Sequence, residues 1–284
     1  MKTMVNIEEI PGFDGWKLYL TDMELEDGHN SSRYTIPTSF SVSDYVVITS
    51  NGRGMCRPGG YLLSHRRMVH VIVTASNLGQ WTRYFVNEME RLYRTTGDQY
   101  FRITIVDFGS VDVNMTSIVE NSLLANRITV IHMSGYFVKT LGFQKAVGQI
   151  KNPADIVFLC DLHLEIPTDM IDRIRKHVIK TKMVYAPVVA KLECGKTTRN
   201  PTGVWDMNGY GLLGITKYDW DKIGGMNTKE FVDKWGGEDW EFIDRIIQGG
   251  LQVVRHRVPY LYHYYHSKKG MWTGGKYKLF DISN

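Results

Sequence analysis

From Arg66 onward the chain alternates between short apolar runs and longer stretches with helical periodicity, an order that few folds accept. "VHVIV" (69–73), "RITIVDF" (102–108), "RITVIHM" (127–133) and "ADIVFLCD" (154–161) are strand-length and rich in β-branched residues. Such runs suit strands covered on both faces. Between them lie helical stretches. One starts at Gln80, carries Trp81, Phe85, Met89 and Leu92 on one face and stops at Gly97; others fall near 115–125 and 137–150. Strand, helix, strand in this order predicts βαβ units and an α/β fold with a mostly parallel sheet. Ligands bind such sheets beyond the carboxyl ends of the strands, where Thr74, Asp107 and Asp161 stand.

After Asp161, "PTDMIDRIRKHVIK" (167–180) reads as a helix and "MVYAPVVAK" (183–191) as one strand. A glycine-rich "GVWDMNGYGLLG" (203–214) follows, then a helix over 239–248, a strand at "LQVVRHRV" (251–258) and the aromatic "YLYHYYHSKKGMW" (260–272). Residues 1–64 lack helical period. They hold strand-like "WKLYL" and "DYVVITS" before the turn-rich "NGRGMCRPGG" (51–60). The expected organisation is a β-rich leader, 1–64, packed on a main domain, 65–284.

Composition narrows the function. With 43% hydrophobic and 23% charged residues, the 284-residue chain is neither disordered nor a disulfide scaffold. Its net charge is +4 and its basic residues are scattered, which argues against duplex nucleic acid and fits a small anionic ligand. No apolar run is long enough to span a membrane and no signal peptide is visible, so the polypeptide reads as soluble, with an anchor conceivable outside it. Cys56, Cys160 and Cys194 lack metal-site spacing; a Cys56–Cys194 pairing stays open. Asn30-Ser-Ser and Asn114-Met-Thr match the N-glycosylation pattern of secretory proteins.

Three clusters carry possible chemistry. In Asp161-Leu162-His163, residues two apart on an extended segment face the same way, so Asp161 and His163 can reach one ion; Asp161 can equally cap the following turn. His263-Tyr-Tyr-His266 would chelate if set on a helical turn, or be two half-exposed histidines. A carboxylate with imidazoles suits Mn2+ or Zn2+, provided the tail folds back over the strand ends. In "KWGGEDWEF" (234–242), Gly236 and Gly237 permit close backbone approach, and Glu238-Asp239 open a helix whose dipole favours acids. Capping accounts for one acid. Trp235 offers a flat surface for a sugar, and two acids beside it fit general-base and hydroxyl-binding roles.

In this order, "CDLH", "NGYG", "IGGM", "WGGEDWE" and "HYYH" resemble the inverting β-1,4-galactosyltransferase and chondroitin N-acetylgalactosaminyltransferase group. Within it the likeness is to the β-1,4-N-acetylgalactosaminyltransferases that build GalNAcβ1-4GlcNAc, over roughly residues 66 to 272. The resemblance implies a GT-A fold (a Rossmann-like mixed sheet flanked by helices), a UDP-sugar donor, Mn2+, a glycan acceptor and residence in the Golgi lumen. It assigns metal binding to Asp161, His163, His263 and His266, and the catalytic base to Asp239 with Glu238 beside it. Donor contacts fall to Thr74, Ala75, Ser76, Asn77, Asp107, Phe137, Lys139, Asp161, Leu162 and Trp235. Acceptor contacts fall to Tyr210, Trp235, Gly236, Gly237, Glu238 and Asp239.

Two positions depart from the family pattern. His163 stands for its usual second aspartate, and Lys139 for an arginine, which turns a bidentate phosphate grip into a point charge. Asn208 falls where galactosyltransferases carry a tyrosine that crowds the donor's C2 substituent; asparagine leaves room for an N-acetyl group, or simply stabilises the turn before Gly209. UDP-GalNAc is therefore the expected donor. The alternatives are UDP-Gal, a chondroitin-type enzyme with a glucuronic acid acceptor, and a catalytically silent sugar-binding domain.

Overall fold

The computed structural model describes residues 67–232 and 236–266 and, before them, two short strands, β1 (Met4–Asn6) and β2 (Lys17–Tyr19). The chain divides into two compact units, Met1–Arg67 and Met68–Asn284. In the first, β1 and β2 pair antiparallel with Met4 opposite Tyr19. β2 falls inside the "WKLYL" run; "DYVVITS" lies outside the described residues.

The second unit opens with the expected alternation: β3 (Val69–Ala75), α1 (Gly79–Thr96), β4 (Phe101–Asp107), α2 (Met115–Glu120), β5 (Ile128–His132), α3 (Lys139–Val147) and β6 (Ile156–Leu159). β7 (Leu164–Glu165), α4 (Met170–His177), β8 (Met183–Tyr185), β9 (Val188–Leu192), β10 (Gly203–Trp205), β11 (Leu213–Thr216) and α5 (Lys217–Ile223) come next. α6 (Glu238–Gln248), β12 (Gln252–Val254) and β13 (Arg257–His263) complete it. Gly97 ends α1 in the left-handed conformation, φ 65°, and its amide donates to Tyr93 O; few residues but glycine take that turn without strain.

A seven-stranded sheet has the order β12-β8-β11-β6-β3-β4-β5 and is parallel except for β11, which runs antiparallel to β6 and β8. The chain leaves β3 toward β4 and β5, then crosses back to β6 on the other side. That reversal opens a crevice at the carboxyl ends of β3 and β6. Both faces of the sheet are covered. Phe85, Met89, Leu92, Met115, Ile171 and Ile174 pack on one side. Phe143, Val147, Trp220, Phe242 and Ile246 pack on the other. β3 shows why its run lacks polar gaps: Val71 and Val73 serve the first layer and Ile72 the second. Truncating a ring buried this fully, such as Phe143, costs about 3–5 kcal/mol.

A second sheet, β10-β9-β13-β7, stands beside the first. Here two sequence expectations are corrected. "MVYAPVVAK" is two strands: Pro187 has no N–H to give a ladder, so the chain leaves the large sheet after Tyr185 and enters the small one at Val188. "LQVVRHRV" divides likewise between β12 and β13. The two breaks match, because β12 runs parallel to β8 and β13 parallel to β9. This paired crossing carries the C-terminal histidines toward the end of β6.

Candidate active site

The metal-ligand candidates converge from two chain segments, one after β6 and one at the end of β13. Beyond β6 the chain bends. Leu162 turns into the core, which leaves Asp161 and His163 on the outer side, as two-residue spacing requires. β7 then pairs antiparallel with the end of β13, Glu165 opposite Tyr262 and Leu164 opposite His263. The Tyr264 amide donates to His163 O at 2.8 Å, which draws the H-x-x-H segment in. The ring nitrogens of His163, His263 and His266 consequently lie within 4.8 Å of one another. His163 and His266 stack with centroids 4.3 Å apart.

The H-x-x-H spacing does not work through a helical turn as expected. His263 ends a strand and residues 264–266 are irregular, so the chain's curl after β13 returns His266 to the cluster. Asp161 is not one of the three-nitrogen set, but its charge acts on it.

The electrostatics suit a cation. Burial and the two neighbouring imidazoles push His163 down to about 3, against the pull of Asp161, and burial also lowers His263. Neutral imidazole is the ligand form. His263 Nδ1 lies 2.8 Å from Tyr264 O, which can only accept, so Nδ1 carries the proton and Nε2 keeps its lone pair. Burial drives Asp161 upward, but Lys139 and the three imidazoles outweigh it and hold the carboxyl below its usual range. Clustered imidazole nitrogens next to an ionised carboxylate fit a borderline divalent ion such as Mn2+.

Lys139, at the start of α3, sits 3.8 Å from Asp161 Oδ1 and 3.9 Å from Asp239 Oδ1. Burial opposes its charge, but Asp239, Asp161 and Glu238 together raise its pKa, so the ammonium is retained. Asp239 comes from the first turn of α6. Gly236 and Gly237 before it adopt φ 92° and 88°, a path that few side chains take without strain. Burial raises Asp239 to about 6; Lys139 opposes this, while Glu238, Asp161 and Asp206 add to it. A carboxyl near 6 is suited to general-base work close to neutral pH. Glu238 is 6% exposed, and its Oε2 has no hydrogen-bond partner among the described residues. An acceptor so placed is ready for a ligand hydroxyl.

Gly211 sits among these charges. A Cβ there would lie 3.5 Å from Asp161 Oδ2, 3.5 Å from Asp239 Oδ2 and 3.6 Å from Lys139 Nζ. The missing side chain leaves space between the three groups. Tyr210 beside it is held between the Arg255 guanidinium, 4.0 Å from its ring centre, and Trp240, 5.0 Å away edge-on. Arg255 donates to Gly209 O and Met207 O, which fastens the glycine-rich loop. Trp240, directly after Asp239, is 49% exposed.

On the β3–β5 side, the Asn77 amide donates to Ser110 Oγ and Asn77 Oδ1 accepts from the Val111 amide, both at 2.9 Å. Asn77 thus ties together the loops after β3 and β4. The Ser76 hydroxyl donates to Phe108 O. Asp107, 3% exposed, accepts from the Ser110 amide and lies 3.3 Å from His132 Nδ1. Thr74 faces Gly142 of α3, and Phe137 packs edge-on to Phe108. Ala75 (0% exposed) and Leu162 (2%) direct their side chains into the core, so a donor contact at either position would run through its backbone. Asn208 is exposed on the Asp206–Gly209 turn. Trp235 lies outside the described residues.

Sequence reasoning missed Asp206, Gly211, Trp240 and Arg255. Two carried a local signal: Gly211 in the "NGYG" run, and Trp240 as an aromatic next to the paired acids. Cys160 is buried and Cys194 exposed, both free thiols; Cys56 lies outside the described residues.

Residues 22–271 match the family model for chondroitin N-acetylgalactosaminyltransferase. The chain is 45% identical over 219 residues to N-acetyl-beta-glucosaminyl-glycoprotein 4-beta-N-acetylgalactosaminyltransferase 1 of Mus musculus, covering 77% of this chain and 21% of that protein. It is 27% identical over 251 residues to chondroitin sulfate synthase 3 of Homo sapiens, covering 80% and 27%. The chain therefore spans only about a fifth to a quarter of these relatives' length. Among solved structures, the mannosyltransferase PcManGT from Pyrobaculum calidifontis, in complex with GDP-Man and Mn2+, superposes with a TM-score of 0.52 at 15% identity, over 72% of this chain and 59% of that one. GalNAc-T7 with UDP, GalNAc and Mn2+ gives 0.52 and 15%, over 74% and 46%. At such identity the likeness shows the fold, and the fold is GT-A.

Proposed function

The chain belongs to the chondroitin N-acetylgalactosaminyltransferase family, and from that premise we propose that it transfers GalNAc, with inversion, from UDP-GalNAc to the 4-hydroxyl of a β-linked GlcNAc on glycans. The observation that carries the reading is the meeting of Asp161, Lys139 and Asp239 around Gly211, next to three clustered imidazoles. Asp239 accepts the proton of the attacking hydroxyl. The new bond forms at the anomeric carbon on the face opposite UDP, while the bond from that carbon to the diphosphate oxygen breaks. The Lys139 ammonium offsets negative charge on the departing UDP. Glu238 Oε2 accepts from a sugar hydroxyl. A divalent ion such as Mn2+, held by His163, His263, His266 and Asp161, would stabilise the same diphosphate charge.

The catalytic domain in this reading is residues 65–284. The crevice beyond β3, β4 and β6 takes the nucleotide, between Thr74–Asn77 and Phe137. Asn208 borders the donor's C2 group. Tyr210 and Trp240, with Gly236 and Gly237, form the acceptor side, where an exposed indole next to the base offers a stacking face. The GlcNAc acceptor is supported by the 45% identity to an enzyme whose name specifies an N-acetyl-beta-glucosaminyl-glycoprotein, against 27% for the chondroitin synthase. Among the described residues no helix is long and apolar enough to cross a membrane. The proposed site of action is the Golgi lumen.

An acceptor panel run with both UDP-GalNAc and UDP-Gal tests this. The expected result is GalNAc transfer to acceptors ending in β-GlcNAc. Transfer only to glucuronic-acid-terminated acceptors, or a preference for UDP-Gal, would displace the reading.

A further inference from the structure

Helix α1 has two working faces. Phe85, Val86, Met89 and Leu92 bury against the large sheet. A second stripe, Trp81, Tyr84, Glu88 and Arg91, follows at spacings of three and four and meets the β7 segment instead. The Ile166 amide donates to Glu88 Oε2 at 3.2 Å, and Arg91, itself held by Glu88, donates to Ile166 O. Further along, Tyr84 OH donates to Glu165 Oε2 at 2.6 Å. Tyr264 OH donates to the same oxygen at 2.7 Å, and the two hydroxyls are 3.0 Å apart. Trp81 packs edge-on to His163, centroids 4.7 Å apart, and against Tyr264 at 5.6 Å.

The placement matters because of what these residues neighbour. Glu165 is two residues after His163, and Tyr264 lies between His263 and His266. One carboxylate oxygen thus joins a helix, the strand after the first ligand and the segment between the other two, while Trp81 limits how the first imidazole can turn. None of these side chains is itself in the three-nitrogen cluster.

We propose that Tyr84, Glu165 and Tyr264, with Trp81 against the ring of His163, are positioning residues that hold the three imidazoles at chelating spacing before any ion arrives. The inference rests on the metal site of the proposed function. A preformed site spares the ion the cost of ordering its ligands, and outer-shell partners of this kind typically change metal affinity by about 10–100-fold when lost.

The test is titration of the metal-free protein with Mn2+ alone, followed by calorimetry or by electron paramagnetic resonance of the free ion, with no donor sugar present. Glu165→Leu and the double variant Tyr84→Phe with Tyr264→Phe nearly keep shape and remove the network. Their Kd for Mn2+ should rise by roughly 10–100-fold. In chelator their Tm should fall by no more than about 4 °C per lost hydrogen bond. Unchanged affinity in variants, with wild type binding Mn2+, overturns the positioning role alone. A wild type that binds no Mn2+ overturns both the metal site and the network. Weaker binding together with collapse of the metal-free fold assigns Tyr84, Glu165 and Tyr264 to stability and also overturns the inference.

Discussion

Replacing Asp239 by asparagine separates the chemistry of the site from its stability. In the fold the carboxyl is raised from its usual 3.8 to about 6, first by burial. A carboxyl whose folded pKa is raised favours the folded state while protonated and opposes it once ionised. Its contribution is therefore lost as pH rises from about 4 to about 6, and a shift of roughly two units corresponds to about 3 kcal/mol of cost at neutral pH. Asparagine is neutral and nearly isosteric, so it removes that cost. Lys139, 3.9 Å away, loses a counter-charge, which returns part of it. The variant should be at least as stable as wild type at pH 7.5, by chemical denaturation.

Its turnover should fall by roughly two to four orders of magnitude, a barrier increase of about 3–5 kcal/mol. Donor affinity should stay near that of wild type, because in the proposed mechanism the donor's phosphates meet Lys139 and the ion rather than Asp239. Wild-type kcat/KM, followed by UDP release with a GlcNAc-terminated acceptor, should rise with pH up to about 6 and then level; the residual activity of the variant should lack that limb. An asparagine variant with near-normal turnover, or a wild-type profile flat between pH 5 and 7, would refute the assignment of Asp239 as base.

Activity should vanish in chelator and return with Mn2+, and His266→Ala should need far more Mn2+ for the same rate; full activity of that variant in chelator would remove the histidines from metal binding. Gly211→Ala places its methyl at ordinary contact distance from Asp161, Asp239 and Lys139, so Tm should hold while donor KM rises, about tenfold if the methyl displaces one hydrogen-bonded contact. Trp240→Ala should raise acceptor KM and leave donor KM unchanged, read from initial rates with each substrate varied. Asn208→Tyr should shift the ratio of catalytic efficiencies toward UDP-Gal; a ratio unmoved by the substitution would free Asn208 from donor selection.

Much of the architecture is local information. Runs such as "VHVIV" and "RITIVDF" are written by neighbours one or two positions apart, and α1 by neighbours three and four apart, so the parallel sheet and the acids at its strand ends are legible in the chain. The glycine pair before Glu238 is legible for the same reason: a left-handed path favours glycine, and two in a row mark one. What the sequence could not state is pairing across distance. Trp81 and Leu92 read as one apolar stripe, but the polar stripe of Tyr84, Glu88 and Arg91 gains meaning only when Tyr84 meets a hydroxyl 180 residues away.

By itself, then, the sequence determined the layer order of the fold, the crevice at its strand ends and the residue types available there. Tertiary structure decided the break at Pro187, the antiparallel β11 between parallel neighbours, the strand-end rather than helical setting of His263 and His266, and the empty space at Gly211. It also decided the proton affinity of Asp239. Burial and charge depend on which atoms lie within a few ångströms, and that is a property of the packed chain, not of the order of its residues.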